Sequence, residues 1–228
     1  MKVTVVRRPS KGLEVQLTKY VHACVVIADG DDEILIDPGV FTPGVGDLVL
    51  AANTILITHE HADHVDVDAI SGALDASADL RVYGPDAVVA RWREGHPEQV
   101  VAVVAGDAFV VGELTVEVYG DTHAEVHPDY PRAANVGYLV GGRVFHPGDS
   151  YQVPVADVEV LLLPTSGPWT KLSEGVEFVR AVAPRRIIQI HEALLSDQGQ
   201  RGTAMHFSPE RLVPVTLEIV PPGETLEV

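Results

Sequence analysis

Apolar residues run along this chain in short stretches separated by glycine, proline and acidic turns, and at a few places they take up helical spacing. Residues 23–27 and 33–37, the latter apolar at Ile34-Leu35-Ile36, flank the acidic turn Asp29-Gly30-Asp31-Asp32, which predicts a hairpin. Residues 53–58 form a β-branched run expected to be a strand buried on both faces. From 67 to 76 the spacing turns helical, with Ile70 and Leu74 four apart on one face. A strand over 81–83 leads into an amphipathic helix over 86–93, for which Asp86 behind Pro85 is the expected N-cap. The valine-rich stretch 100–119 predicts successive short strands joined at Gly106 and Gly112. Residues 137–140 and 143–146 face each other across Gly141-Gly142 as a second hairpin. Residues 158–163 and 186–190 read as core strands. Between them lies a helix over 172–183, stopped by Pro184.

A weak internal repeat emerges. The hairpin ending Ile36-Asp37-Pro38-Gly39 resembles the one ending His146-Pro147-Gly148-Asp149, and each is followed by a buried strand, a polar segment and a helix. This predicts two β-rich halves, each supplying a sheet and outer helices.

Composition narrows the function classes. The chain has 228 residues, 46% hydrophobic and 21% charged, enough to bury a full core as a single domain over 1–228. Sixteen Lys and Arg face 33 Asp and Glu, a net charge of −17, which disfavours nucleic acid and anionic membranes as partners. Apolar runs are too short for a transmembrane helix, and residues 1–9 are too briefly apolar for a secretory signal. The single cysteine, Cys24, cannot close an internal disulfide and sits in an apolar strand as an inert core residue. A cytoplasmic location is expected.

The segment Thr58-His59-Glu60-His61-Ala62-Asp63-His64-Val65-Asp66 carries the chemistry, directly after a buried strand. In an extended chain His59 and His61 project the same way. A bend toward the helix then lets Asp63 and His64 project to a neighbouring point, which offers two adjacent ligand sets. Imidazole nitrogen and carboxylate oxygen suit zinc, iron, manganese and similar divalent ions.

His-x-His-x-Asp-His after an apolar strand resembles the signature of the metallo-β-lactamase superfamily. The resemblance extends to Ile36-Asp37-Pro38-Gly39, Gly120-Asp121-Thr122-His123, His146-Pro147-Gly148-Asp149-Ser150 and Ile190-His191. Within the superfamily the chain is most similar to small metal-dependent hydrolases of the L-ascorbate-6-phosphate lactonase-like group. The resemblance implies an α+β, four-layer αββα sandwich built of two pseudo-repeated halves, with a dinuclear site at the sheet edge. It assigns His59, His61 and His123 to one metal, Asp63, His64 and His191 to the other, and Asp149 to both. Zinc is the expected ion, with manganese or iron as alternatives. The implied reaction is attack by metal-bound hydroxide on a small ester, lactone or phosphoester, with Asp63 and Asp149 as catalytic groups. Self-association is a further expectation from the resemblance. The rival readings are a phosphodiesterase or nuclease acting on nucleotides, and a non-catalytic metal-binding sensor of the same fold.

Outside the motif, His127 follows His123 in a loop and is a candidate substrate contact, as are Ser150 and Tyr151 after Asp149. Trp169 either walls the substrate pocket or staples the following helix to the sheet. His146 reads as a packing or supporting residue rather than a ligand. His22, ahead of a core strand, reads as a satisfied strand-end histidine, and His206 as a residue near the pocket mouth.

Overall fold

The structure, a computed structural model, describes residues 15–228, so the reading of residues 1–9 lies outside it. In the first half, β1 (Gln16–Lys19), β2 (Val25–Asp29) and β3 (Asp32–Ile36) form an antiparallel meander. Next come α1 (Val45–Ala51), β4 (Thr54–Leu56), α2 (Val67–Ala76), β5 (Arg81–Gly84), α3 (Asp86–Val89) and β6 (Val100–Ala102), with β3 to β6 parallel. The second half repeats the plan. β7 (Ala108–Val111), β8 (Leu114–Tyr119), β9 (Gly137–Val140) and β10 (Val144–His146) run antiparallel. β11 (Val160–Pro164), α4 (Leu172–Val182), β12 (Arg186–Ile190), α5 (Asp197–Ala204) and β13 (Leu217–Glu218) then extend the sheet in parallel from β10. β14 (Glu224–Glu227) returns to pair with the edge of β1. The sheet orders are β14-β1-β2-β3-β4-β5-β6 and β13-β12-β11-β10-β9-β8-β7, so the two β-rich halves read from the sequence recur in the topology, with the strand after each hairpin pairing in parallel.

Alternation along the strands sets the layers. Leu17, Val25, Ile27, Ile34 and Ile36 of the first sheet meet Val116, Tyr138, Val140, Leu162 and Ile188 of the second in a core between the sheets. The opposite face of the first sheet, Leu35, Ile55, Ile57 and Val82, is covered by Val49, Ile70, Leu74 and Val88 of α1, α2 and α3. Leu139, Phe145, Leu161 and Ile187 on the far side of the second sheet pack on Val176, Phe178 and Val179 of α4. These are the four layers of an αββα sandwich. Parallel strands buried on both faces account for the unbroken apolar run of β11. Among the described residues, no helix is long and apolar enough to cross a membrane.

The helix expected over 86–93 is shorter: α3 ends at Val89, and Pro85 occupies the N-cap position with no side-chain cap, so Asp86 is not the cap. Past Val89 the chain tightens into i→i+3 turns, Trp92 N–H to Val89 O and Arg93 N–H to Ala90 O. The Trp92 indole is buried there, donating to Ser71 Oγ at 2.8 Å.

Parallel β3, β4, β10, β11 and β12 end at one edge, and β8, parallel to β10 through β9, ends there too. In such sheets the carboxyl ends of strands, where loops leave the backbone ladder, are where ligands collect. Asp37, His59, His123, Asp149 and His191 all lie within a few residues of these ends.

Candidate metal centre

After β4 the chain cannot continue as a strand, because Asp66 caps α2 by accepting from Ala69 N–H at 3.0 Å. Between Thr58 and Asp66 it folds into a tight turn in which His64 and Val65 N–H both bond to His61 O, at 2.9 and 3.1 Å. Asp66 N–H bonds to Pro38 O at 2.9 Å, tying the turn to the Asp37-Pro38-Gly39 corner. Gly39 is needed there: a Cβ would lie 1.9 Å from Asp63 O, with backbone rather than a side chain in its way. Gly39→Ala should therefore cost about 3 kcal/mol or more of stability and displace Asp63. The thermal midpoint of the metal-free protein checks this, and an unchanged midpoint would contradict the close approach.

Two groups of potential ligand atoms result, each within 4.8 Å: His59, His61, His123 and Asp149, and His22, Asp63, His64 and His191. His59 Nε2 and His61 Nδ1 approach to 3.0 Å. Asp149 reaches into both groups, with Oδ2 3.3 Å from His123 Nε2 and 3.1 Å from His191 Nε2, and Oδ1 3.2 Å from His64 Nε2. All seven sequence-predicted ligands are brought together. His64 Nε2, His123 Nε2, His191 Nε2 and Asp149 Oδ1 are buried without a hydrogen-bond partner. Such orphaned groups cost about 1–3 kcal/mol each unless something binds them. Convergent imidazole nitrogens around a shared carboxylate fit divalent cations.

The Nδ1 atoms of His59, His64 and His123 are already engaged, which fixes how these three rings point. Buried Asp37 accepts from Thr58 N–H at 2.7 Å, from Thr58 Oγ–H at 2.7 Å and from His64 Nδ1–H at 2.6 Å. Thr58 Oγ in turn accepts from His59 Nδ1–H at 3.0 Å, and Ala124 O accepts from His123 Nδ1–H at 2.6 Å. Each contact assigns the ring proton to Nδ1 and turns Nε2 toward the centre. Asn135 Oδ1 accepts from Asp149 N–H at 2.9 Å while its amide donates to Pro147 O, fixing the Asp149 corner. Among the described residues four non-glycine residues have positive φ, and three of them, His22 (64°), Asp37 (49°) and His191 (60°), are at this site.

Burial and charge pull the site's proton affinities apart. Burial pushes His59 well below the usual histidine range, and neighbouring His64 adds to this. Burial would also lower His64, but the Asp149 and Asp37 carboxylates outweigh it and hold His64 well above that range. His191 follows the same pattern through Asp149 and Asp63. For Asp63 and Asp149, burial raises the carboxyl pKa, but contacts with surrounding imidazoles overcome it and hold both below the ordinary carboxylate range. Buried Asp149 and half-buried Asp63 thus demand positive charge, which metal cations would supply in place of imidazolium protons.

The remaining candidates fall in different places. Trp169 is buried and donates from Nε1 to Asp149 Oδ2 at 2.9 Å, so it holds the shared carboxylate. The Tyr151 ring lies 5.0 Å from Trp169 and 5.2 Å from Phe178, and its hydroxyl donates to Pro164 O. Ser150 Oγ accepts from Gln152 N–H. His127 is exposed in a turn with Asp129 and belongs to neither group. His146 donates from Nε2 to Ala23 O and accepts Gly148 N–H at Nδ1, a fully supporting role. Cys24 is buried, its thiol pushed up to about 12 by desolvation. A cavity of about 390 Å³ lies beyond Tyr151, lined also by Thr165, Lys171, Met205, His206 and Phe207.

Sequence reasoning passed over Asp37, Thr58 and Asn135 as positioning groups, and took His22 for a strand-end histidine. The signal for His22 was present in the first hairpin. Val25 pairs with Ile36, so the residues just before β2 must lie beside the corner after β3 that holds Asp37.

A family profile described as "Beta-lactamase superfamily domain" matches residues 16–191. "Protein Rv0786c" of Mycobacterium tuberculosis is 39% identical over 186 residues, covering 79% of this chain and 85% of that protein. A "UPF0173 metal-dependent hydrolase" of Pyrobaculum islandicum is 26% identical, covering 93% of this chain and all of that one (100%). Among solved structures, Igni18, described as a metallo hydrolase from Ignicoccus hospitalis, shares the fold. Its TM-score is 0.69 at 18% identity, over 93% of this chain and 97% of that one.

Proposed function

The chain belongs to the beta-lactamase superfamily, and on that footing we propose that it is a metal-dependent hydrolase holding two divalent ions and acting on a small ester, lactone or phosphoester. The observation that carries this reading is the set of buried, partnerless ring nitrogens and carboxylate oxygen converging from four separate loops, those after β4, β8, β10 and β12. His59, His61 and His123 would hold one ion and Asp63, His64 and His191 the other, with Asp149 reaching both. Zinc suits this nitrogen-and-oxygen set best, and manganese or iron is compatible with it. Bound there, the ions supply Lewis acidity, lowering the pKa of a coordinated water and polarising a substrate oxygen.

The chain's own residues divide the remaining work. Asp63 keeps 23% of its side chain open to solvent while Asp149 keeps 4%, so Asp63 is the carboxylate placed to orient or deprotonate an attacking water. Trp169 fixes Asp149 and closes that flank to solvent. The cavity beyond Tyr151 suits the body of a small substrate, with Lys171 and His206 as its polar lining. A surface of net charge −17 supports a small molecule over a polyanion.

The test is a substrate panel with protein reloaded separately with zinc, manganese and iron. Turnover of esters, lactones or phosphomonoesters, abolished by chelation and restored by metal, is the expected result. Cleavage of a chromogenic phosphodiester alone would favour the nucleotide-directed reading, and no turnover of any ester by fully loaded protein would favour a sensor.

A further inference from the structure

His22 stands in the second group of ligand atoms beside Asp63, His64 and His191, although it is not among the seven ligands that the resemblance implied. Its ring is fully buried and held from several sides. The backbone N–H of His22 donates to Glu192 Oε1 at 3.0 Å, and its carbonyl accepts from His191 N–H at 3.0 Å. Glu192 is itself anchored by buried Lys19, whose Nζ reaches both carboxylate oxygens at 3.0 and 3.2 Å. Phe41 packs edge-on against the imidazole at 5.1 Å, and the His191 ring lies 3.8 Å away on another side.

The two ring nitrogens face different partners. Nδ1 meets Ala193 N–H at 3.3 Å, and Nε2 meets Asp63 Oδ2 at 3.0 Å. A backbone N–H donates and cannot accept, so Nδ1 must present its lone pair. A neutral imidazole then carries its proton on Nε2, which donates to Asp63. A nitrogen that carries a proton has no lone pair for a metal.

We propose that His22 is a positioning residue and not a ligand: from Nε2–H it fixes one oxygen of Asp63 and so sets the carboxylate that completes the second metal site. This rests on the two-ion reading above. The arrangement has the form of an outer-shell hydrogen bond to a ligating carboxylate, whose loss commonly weakens metal binding about 10–100-fold. It also explains the Lys19–Glu192 pair, which locks the turn before β2 to the turn after β12 and thereby holds His22 against Asp63 and His191 against Asp149.

Two variants separate the roles. In His22→Gln the amide places an N–H donor where Nε2 stands, so it can replace a hydrogen bond but makes a poor ligand. His22→Ala removes both functions. With zinc titrated into metal-free protein and stoichiometry followed by elemental analysis, the wild type should bind two ions per chain. His22→Gln should keep both, with second-site affinity within about threefold, and His22→Ala should keep two sites with the second weakened about 10–100-fold. Long-range nitrogen-15 correlation spectra of zinc-loaded wild type should show His22 protonated at Nε2, a readout that needs no variant. Loss of the second ion in His22→Gln as complete as in His22→Ala, wild-type affinity in His22→Ala, or a His22 ring protonated at Nδ1 would overturn the proposal. Wild type that binds fewer than two ions would instead refute the reading on which it rests.

Discussion

Asp149→Ala should abolish tight binding at both metal sites and lower turnover about a thousandfold. The Asp149 carboxylate contacts His123 from one group and His64 and His191 from the other, and it is buried. Removing it strips both sites of their shared anion at once and leaves the three imidazoles without the charge that orders them. A Lewis-acid contribution of several kcal/mol, at about 1.4 kcal/mol per decade, gives the thousandfold figure. Elemental analysis alongside kinetics checks the coupling. A variant with full occupancy of both ions and reduced turnover would show that Asp149 acts on substrate and not on metal.

The second large effect is expected at Asp37, which touches no potential substrate. In Asp37→Asn the backbone Thr58 N–H, now 2.7 Å from Oδ1, permits only the amide oxygen at that position. The amide nitrogen must then face Thr58 Oγ and His64 Nδ1, where the carboxylate now accepts both hydrogens. His64 Nδ1 would have to accept instead, moving its proton to Nε2 and pointing it into the metal site. The left-handed backbone of Asp37 suits asparagine, so the fold should survive. The expected outcome is a loss of second-site affinity of about 10–100-fold with little change in the first site. Asp37→Ala, by contrast, orphans several buried donors at about 1–3 kcal/mol each and should lower the thermal midpoint as well. Equal metal affinity in Asp37→Asn and wild type would mean that the His64 tautomer does not matter.

Much of this site was legible because its ligands punctuate the ends of strongly patterned strands. β4, β10 and β12 are short, apolar and bounded by polar residues, so His59, Asp149 and His191 announce themselves as breaks in hydrophobic runs. The repeat of hairpin plus buried strand was visible for the same reason. Elements without a buried stripe left no such trace. α5 buries none of its residues, and β14 is a partly exposed edge strand with acidic ends. β1 mixes Leu17 with Gln16, Thr18 and Lys19, and Lys19 is buried only because distant Glu192 neutralises it. α1 starts at Gly44 in a left-handed conformation with no side-chain cap, so the usual start signal is missing. Asp37, Thr58, Asn135 and His22 escaped for a related reason. Their partners lie on other loops, and one sequence shows a residue's chemistry but not the ring nitrogen it faces.

The most direct test of the two-ion account is a crystal of metal-loaded protein measured at the absorption edge of the bound metal. Two anomalous peaks are predicted, one about 2.0–2.2 Å from donor atoms of His59, His61 and His123 and one at like distance from Asp63, His64 and His191. Asp149 should contact both. A single peak, or metal held elsewhere while these imidazoles stay unligated, would contradict the account.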